Sequence, residues 1–418
     1  MCQKLGLDQI IAEKGWDYSL GDNADQLSGG PPFSSSGFIA ILCVIGIVMV
    51  YSASSINLSY VGLNSASYMI KQAIYVVIGM ILMFLLAHFK TKWWVNSKFL
   101  MVGFVIMAVA LFVAKFFTNA INGANGWIQL GPISIQPSEF AKLFNILFCA
   151  YTFSNWADRR ERGLGHGNGP YVALAIILGL IIWEPDVGGF MINFAIIMIM
   201  YLTYRDPETS KWNRINNQTF LIGLIILFVI MLQVPRLKFI QDLSSHFYQI
   251  QRFTAFYHPF KYSASVGRQL VNSYYAISNG GFFGLGLGNS IEKRGYLPEP
   301  YTDFILSVTT EELGFIGAAV LIILLLFIIL RVYLIGIRSN NLYNRLFCFG
   351  VGTFMFVESF FNIGAVIGLL PITGVTFPFV SYGGSSMLVL SAALGMVMNI
   401  SANQKRHTEI DPFEYYKK

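Results

Sequence analysis

Long runs of apolar residues alternate with short polar stretches along most of the chain. The runs cover about 37–56, 67–88, 99–118, 138–156, 170–183, 187–204, 219–235, 303–331, 342–369 and 378–400. A helix needs ~20 apolar residues to cross a ~30 Å hydrocarbon core. Barrel strands would read instead as ~10-residue segments of alternating polarity, and these runs are longer and continuous. The pattern predicts an all-α, polytopic membrane protein of about ten transmembrane helices. The run at 170–183 is short. It reads as one half of a broken pair with 187–204, interrupted by "WEPDVGG".

The polar stretches differ in charge. Lys90, Lys92 and Lys98 follow the second run, and Arg159, Arg160 and Arg162 follow the fourth. Arg205, Lys211 and Arg214 follow the sixth, and Arg331, Arg338 and Arg345 accompany the end of the eighth. Lys405, Arg406, Lys417 and Lys418 close the chain. The short loops 57–66, 119–137, 184–186 and 370–377 carry neither Lys nor Arg. Basic loops stay cytoplasmic, so both termini are expected inside and the large loop 236–302 outside. Three parts follow: a cytoplasmic tail at 1–36 of unknown role, a transmembrane domain at 37–402, and a cytoplasmic tail at 403–418. The first 33 residues are polar and acidic and lack the basic-then-apolar order of a signal peptide.

Composition agrees with a membrane class. Of 418 residues, 55% are hydrophobic and 12% are charged, about half the charged share of a soluble domain. The net charge of +6 is spread over short loops, so it marks orientation and not a nucleic-acid partner. The four cysteines, Cys2, Cys43, Cys149 and Cys348, have no metal-ligand spacing. They read as small hydrophobes.

Ionisable residues in or beside membrane spans are costly and mark function by default. Four stretches qualify. In "GYLPEPYTDFILSVTTEELGFIG" (295–317), Asp303 stands at the mouth of an apolar run and reads either as a helix N-cap or as a fixed, accessible carboxylate. Glu311 and Glu312 lie two turns deeper, and at least one of them must face the bundle interior. In "NGANGWIQLGPISIQPSEFAK" (122–142), Trp127 reads as an interfacial anchor, and Ser138 and Glu139 open a helix. Lys142 reads as the i, i+3 partner of Glu139 or as a phosphate ligand. In 267–300, the glycines of "GGFFGLGLGN" form neither a P-loop nor a dinucleotide fingerprint. They suit a tight, membrane-hugging segment, with Arg268, Lys293 and Arg294 supplying positive charge. In 362–386, small residues suit close helix packing.

Together these stretches resemble the SEDS family (shape, elongation, division and sporulation) from about residue 40 to 402. The match rests on "GWIQLGPISIQPSEFAK", "EPDVGG", "QLVNSYYAISNGGFFGLGLGNSIEKRGYLPEPYTDFILSVTTEELGFIG" and "NIGAVIGLLPITGVTFPFVSYGGSS". The third is more similar to division-type members of Gram-positive bacteria than to elongation-type ones. The resemblance implies a peptidoglycan glycosyltransferase that polymerises lipid II at the outer face of the cytoplasmic membrane, at the division septum. A single inverting displacement would release undecaprenyl pyrophosphate. It implies a class B penicillin-binding protein as partner, along with other membrane proteins of the division machinery. It also implies a divalent cation, Mg or Mn, whose ligands it does not identify. Carried over by motif, Asp303 is the catalytic residue, and Trp127, Lys142 and Glu299 bind substrate; Arg268, as a nearby cation, and its neighbour Gln269 are assigned to substrate beside them. Glu139, Glu311, Glu312, Asn272 and Ser381 support the site. One departure is Gly126, where many members carry Arg, so any lipid-substrate contact made by that Arg is absent or supplied elsewhere. A lipid II flippase or transporter, a non-enzymatic scaffold and an elongation role are the alternatives.

Overall fold

The computed structural model describes residues 36–89, 94–117, 126–130, 133–161, 168–204 and 248–410. The predicted run at 219–235, the start of the large loop, most of the orienting basic loops and the two tail ends lie outside these residues. The described helices are α1 (Ser36–Tyr60), α2 (Ser67–His88), α3 (Ser97–Phe117), α4 (Pro137–Glu161), α5 (Gly169–Trp183) and α6 (Val187–Tyr204), then α7 (Tyr248–Tyr257), α8 (Arg268–Gly280), α9 (Ile305–Ile337), α10 (Leu342–Val366) and α11 (Gly384–Ile410).

Seven described helices are long and apolar enough to cross a membrane: α1, α2, α3, α6, α9, α10 and α11. Two more match predicted runs. α4 is as long but carries charge at both ends, and α5 has only 15 residues. α5 and α6 are separate helices joined by the turn at Glu184, Pro185 and Asp186.

The bundle packs around α10, which is buried along most of its length. Small residues permit this closeness. A Cβ on Gly350 would come 2.7 Å from Ile146, and one on Gly352 would come 2.9 Å from the Tyr333 ring. α2 lies on α11 by the same means, with Gly79 against Ser391 and Gly395 against the Met83 carbonyl. The opposite faces of α2 and α3 expose Ile74, Ile78, Ile81, Phe84, Val102 and Val109, as lipid contact requires.

Two features outside the helices position the site. A short antiparallel hairpin, β1 (Ile128–Leu130) and β2 (Ile133–Ile135), pairs Ile128 with Ile135 and leads into α4. The sequence suggested only a compact loop here, because strands of three residues leave no periodicity to read. The second feature is a break in α9. Gly314 has φ 72°, ψ −179°, so the helix opens. Loop 281–286 fills the gap. Leu285 and Gly286 amides donate to the Glu311 and Glu312 carbonyls at 2.9 and 3.0 Å. Phe315 and Ile316 amides donate to Gly281 and Phe282 at 2.9 and 3.3 Å. A side chain on Gly280, Gly284 or Gly314 would run into this backbone. The glycine run is thus spent on close approach, which only a missing Cβ permits.

Candidate active site

Asp303 ends a tight turn just before α9. The turn begins at Glu299, whose φ is +51°, and Thr302 Oγ1 donates to Glu299 Oε2 at 3.1 Å. Three neighbours fix its backbone. Asn362 of α10 donates through Nδ2 to the Asp303 carbonyl at 2.8 Å and to the Val375 carbonyl at 2.7 Å. Ser381 donates to the Thr302 carbonyl at 2.7 Å while accepting from the Phe377 amide at 2.8 Å. The Tyr382 amide donates to the Tyr301 carbonyl at 2.9 Å. Tyr68, Tyr301 and Tyr382 stack beside the turn, with centroids 4.8 and 4.9 Å from Tyr68.

The Asp303 carboxylate does not cap the helix. The N-cap position falls on Phe304, with no side-chain cap bond. Burial pushes the Asp303 carboxyl up to about 6; Arg252 of α7 opposes that rise and Glu299 adds to it. Arg252 also donates through Nη1 to the Ile372 carbonyl at 3.4 Å. Gly374, at φ +75°, passes close to both groups. A Cβ there would lie 3.3 Å from Arg252 Nη1 and 3.6 Å from Asp303 Oδ2. The cluster therefore offers a proton acceptor poised near neutrality, beside a cation and an open backbone.

The other residues named from sequence divide by place. Lys142 is 1% exposed and donates to Glu139 Oε1 at 2.6 Å and Glu358 Oε1 at 2.9 Å. Its ammonium also lies 5.1 Å from the Phe354 ring centroid. That placement favours the ion pair over the phosphate contact, so Lys142 carries no anion-binding step below. Glu311 and Glu312 are both buried, and both face protein. Glu311 accepts from Asn279 at 3.0 Å, from the Ile291 and Glu292 amides at 3.1 and 3.3 Å, and from Ser290. Glu312 accepts from Lys293 Nζ at 2.7 Å, Ser52 of α1 at 2.7 Å and the Gly288 amide at 3.0 Å. They fasten the glycine loop to α9 and α1. Arg268 donates to the Tyr296 and Gly295 carbonyls, both at 3.0 Å, and Asn272 donates to Tyr296 at 2.5 Å. These two brace the turn preceding Glu299. Gln269 is half-buried on α8, and Trp127 is half-buried at the hairpin. No hydrogen bond or ring contact joins Trp127 to Asp303 among the described residues.

Several polar residues were given no role from the sequence. Arg252 stands about fifty residues before Asp303, with nothing local to connect them. Glu358 is a lone acid in an apolar helix, a signal that the rule for intramembrane charges could have flagged. Asp186 holds the start of α4 and α6, accepting from Ser138 at 2.7 Å and the Gly189 amide at 2.8 Å. Glu184 is fully buried, and among the described residues neither of its oxygens has a hydrogen-bond partner. Burial pushes its carboxyl up to about 8; Asp186 adds to this and Lys115 opposes it. Gly126 faces it, with a Cβ there 3.6 Å from Glu184 Oε2. Among the described residues, no three His, Cys, Asp or Glu side chains converge as metal ligands. The described residues thus form no protein-only cage for the expected divalent cation, and no step below passes through one.

A bundle of apolar helices, with Lys142 paired to Glu139 and Glu358 and Lys293 to Glu312 inside it and a raised carboxyl held at one helix mouth, defines a multi-pass membrane protein with a polar reaction or binding site. The family model described as "Cell cycle protein", covering FtsW, RodA and SpoVE, matches residues 34–406. The chain belongs to this FtsW/RodA/SpoVE family. The probable peptidoglycan glycosyltransferase FtsW of Bacillus subtilis (strain 168) is 39% identical over 367 residues, covering 87% of this chain and 88% of that protein. The FtsW of Lactococcus lactis subsp. lactis (strain IL1403), also named a probable peptidoglycan glycosyltransferase, is 36% identical, covering 90% and 93%. Among solved structures, the fold is similar to a chain from a study of the structural coordination of polymerization and crosslinking by a peptidoglycan synthase complex. Its TM-score is 0.66 at 22% identity, covering 88% of this chain and 97% of that one. The rod shape determining protein RodA of Thermus thermophilus gives a TM-score of 0.60 at 22% identity, covering 88% and 96%.

Proposed function

We propose that this chain is a peptidoglycan glycosyltransferase that polymerises lipid II at the outer face of the cytoplasmic membrane during division. The observation that carries the reading is Asp303: a carboxyl held rigidly at the mouth of α9, raised toward neutrality by burial, and not used as a cap. Its relatives' names support the reaction class, and the greater likeness to FtsW proteins supports division over elongation.

The chemistry needs little more than this. The acceptor sugar hydroxyl attacks the anomeric carbon of the donor glycan while Asp303 takes the hydroxyl proton. The C–O bond to the lipid pyrophosphate breaks as the new glycosidic bond forms. An α-linked donor gives a β-linked product by one inversion, so no covalent enzyme intermediate is needed. The pinned backbone at Thr302 and Asp303 supplies orientation. A class B penicillin-binding protein is the expected crosslinking partner, the septum the expected location, and Mg or Mn an expected activator.

A transporter reading would place essential ionisable groups near the bilayer midplane with access from both sides. Here Glu311, Glu312, Lys142 and Glu358 are paired with protein groups, and the raised carboxyl sits at a helix end. The test is chain-length analysis of product from labelled lipid II, using partner-bound complexes. Asp303→Asn should lower polymerisation by roughly a hundredfold or more, with normal expression and partner binding. A folded Asp303→Asn protein that still makes long strands would end this reading. A scaffold role predicts that neither wild type nor the variant makes strands.

A further inference from the structure

The segment that closes the break in α9 carries a carboxyl that the reaction proposed above does not use. Glu311 of α9 accepts four hydrogen bonds: from Asn279 Nδ2 at 3.0 Å, the Ile291 amide at 3.1 Å, the Glu292 amide at 3.3 Å and the Ser290 hydroxyl. A carboxylate offers about four lone-pair sites. Donors occupy all of them, so Glu311 has no place left for a proton and carries its charge. None of those donors is a cation. The Lys293 ammonium goes instead to Glu312 at 2.7 Å and to Ser52 at 2.8 Å.

Glu292 is placed differently. Its amide serves Glu311, but its own side chain is buried, and among the described residues its Oε2 meets no donor. Burial, with the Glu311 charge adding to it, pushes the Glu292 carboxyl up to about 7. The other charged groups on the surrounding elements are committed or face away. Glu312 holds Lys293, and Arg268 of α8 donates to the Gly295 and Tyr296 carbonyls. Arg294 is exposed, and α1 brings Ser52 but no charge. Two neighbouring carboxyls thus differ sharply: one is saturated with donors and the other is shut away without any at Oε2.

We propose that Glu292 is a proton-operated latch on the glycine loop. Protonated, it lets the loop lie against α9; ionised, it sets a second negative charge beside Glu311, and the loop lifts. The bonds that part are those from the Leu285 and Gly286 amides to the Glu311 and Glu312 carbonyls, and those from Ser290 and the Ile291 amide to the Glu311 carboxylate. The Glu292 carbonyl also accepts from the Leu297 amide at 2.8 Å. The latch therefore lies at the head of the stretch that runs through Glu299 to Asp303. Its sign is fixed by linkage. The folded carboxyl sits above its ordinary 4.5, so its contribution to closure is full below the unfolded value and is lost as pH rises through about 7.

The experiment is hydrogen exchange read by mass spectrometry on the full chain in lipid nanodiscs, following peptides that span 281–291 between pH 5 and 9. Wild type and Glu292→Gln are compared at each pH, so the intrinsic exchange rate cancels. Near pH 5 the two should exchange alike. Above about pH 8 the wild-type loop should exchange roughly tenfold faster or more, the scale of one unit of difference in proton affinity between the closed and lifted loop. Should Glu292→Gln lose its melting transition, Glu292→Met, neutral and of similar length, takes its place. Equal exchange in wild type and the neutral variant at every pH overturns the latch. So does a pH step that survives in the neutral variant, because another group then drives it. A variant loop that exchanges faster than wild type at every pH also overturns it, since Glu292 is then a packing contact and not a switch. None of these readings requires glycan synthesis, so the latch stands or falls apart from the reaction.

Discussion

At the scale of the residue, Asp303 sets activity against stability. Its folded carboxyl is raised from 3.8 to about 6, so the folded state holds the proton more tightly than the unfolded chain does. That contribution is fully present below the unfolded value and is lost as pH rises through about 6. Asp303→Asn should therefore melt higher than wild type at pH 7.5, with the gap closing as pH falls toward 4. Equal melting points at both pH values would refute it. Wild-type activity should fall on the acid side of about 6, because the base must be unprotonated. Lys142 behaves in the opposite way. Replacing it with Met strands Glu139 and Glu358 inside the bundle, and breaking a buried pair costs about 3–5 kcal/mol. Its loss should appear first as a lower melting temperature in detergent. Normal melting with weakened lipid II binding would restore the phosphate role. The sequence put Lys142 and Glu139 one turn apart and made their pairing legible. Glu358, 216 positions away, was not, since nothing local brings α4 and α10 together.

At the scale of the element, apolar runs reported helices well and their interruptions badly. The runs at 67–88 and 187–204 match α2 and α6 at their bounds, because uniform hydrophobicity over ~20 residues leaves few alternatives. The break in α9 was hidden because "LGFIG" continues the apolar run, and only the partner loop explains why the helix opens. The run at 378–400 began too early. Phe379 and Val380 are buried in a turn, and α11 starts at Gly384. Gly314→Ala tests the junction. The added methyl meets the Phe282 carbonyl, and the backbone conformation alone costs on the order of 1–3 kcal/mol. A melting temperature within a degree of wild type would mean that the loop and α9 part more easily than their four amide bonds suggest.

At the scale of the whole molecule, the bundle, its class and the prominence of Asp303 at a helix mouth were legible because membrane burial penalises every unpaired charge. Arg252 and Gly374 were not, since their relation to Asp303 exists only once three distant segments meet. The positive-inside argument still makes a separate forecast: a reporter fused after Arg162 should read cytoplasmic, and one within 240–260 external. An external signal after Arg162 would sink the ten-helix topology. The loop fastened to α9 has one more consequence. Lys293 bonds Ser52 and Glu312, and Glu312 bonds Ser52, so contacts cross between α1 and α9 on both sides of the exposed Arg294. A single protease nick after Arg294 should therefore leave two fragments that migrate apart in denaturing gels yet purify as one particle. Made from two separate genes, the same halves should find each other in the membrane.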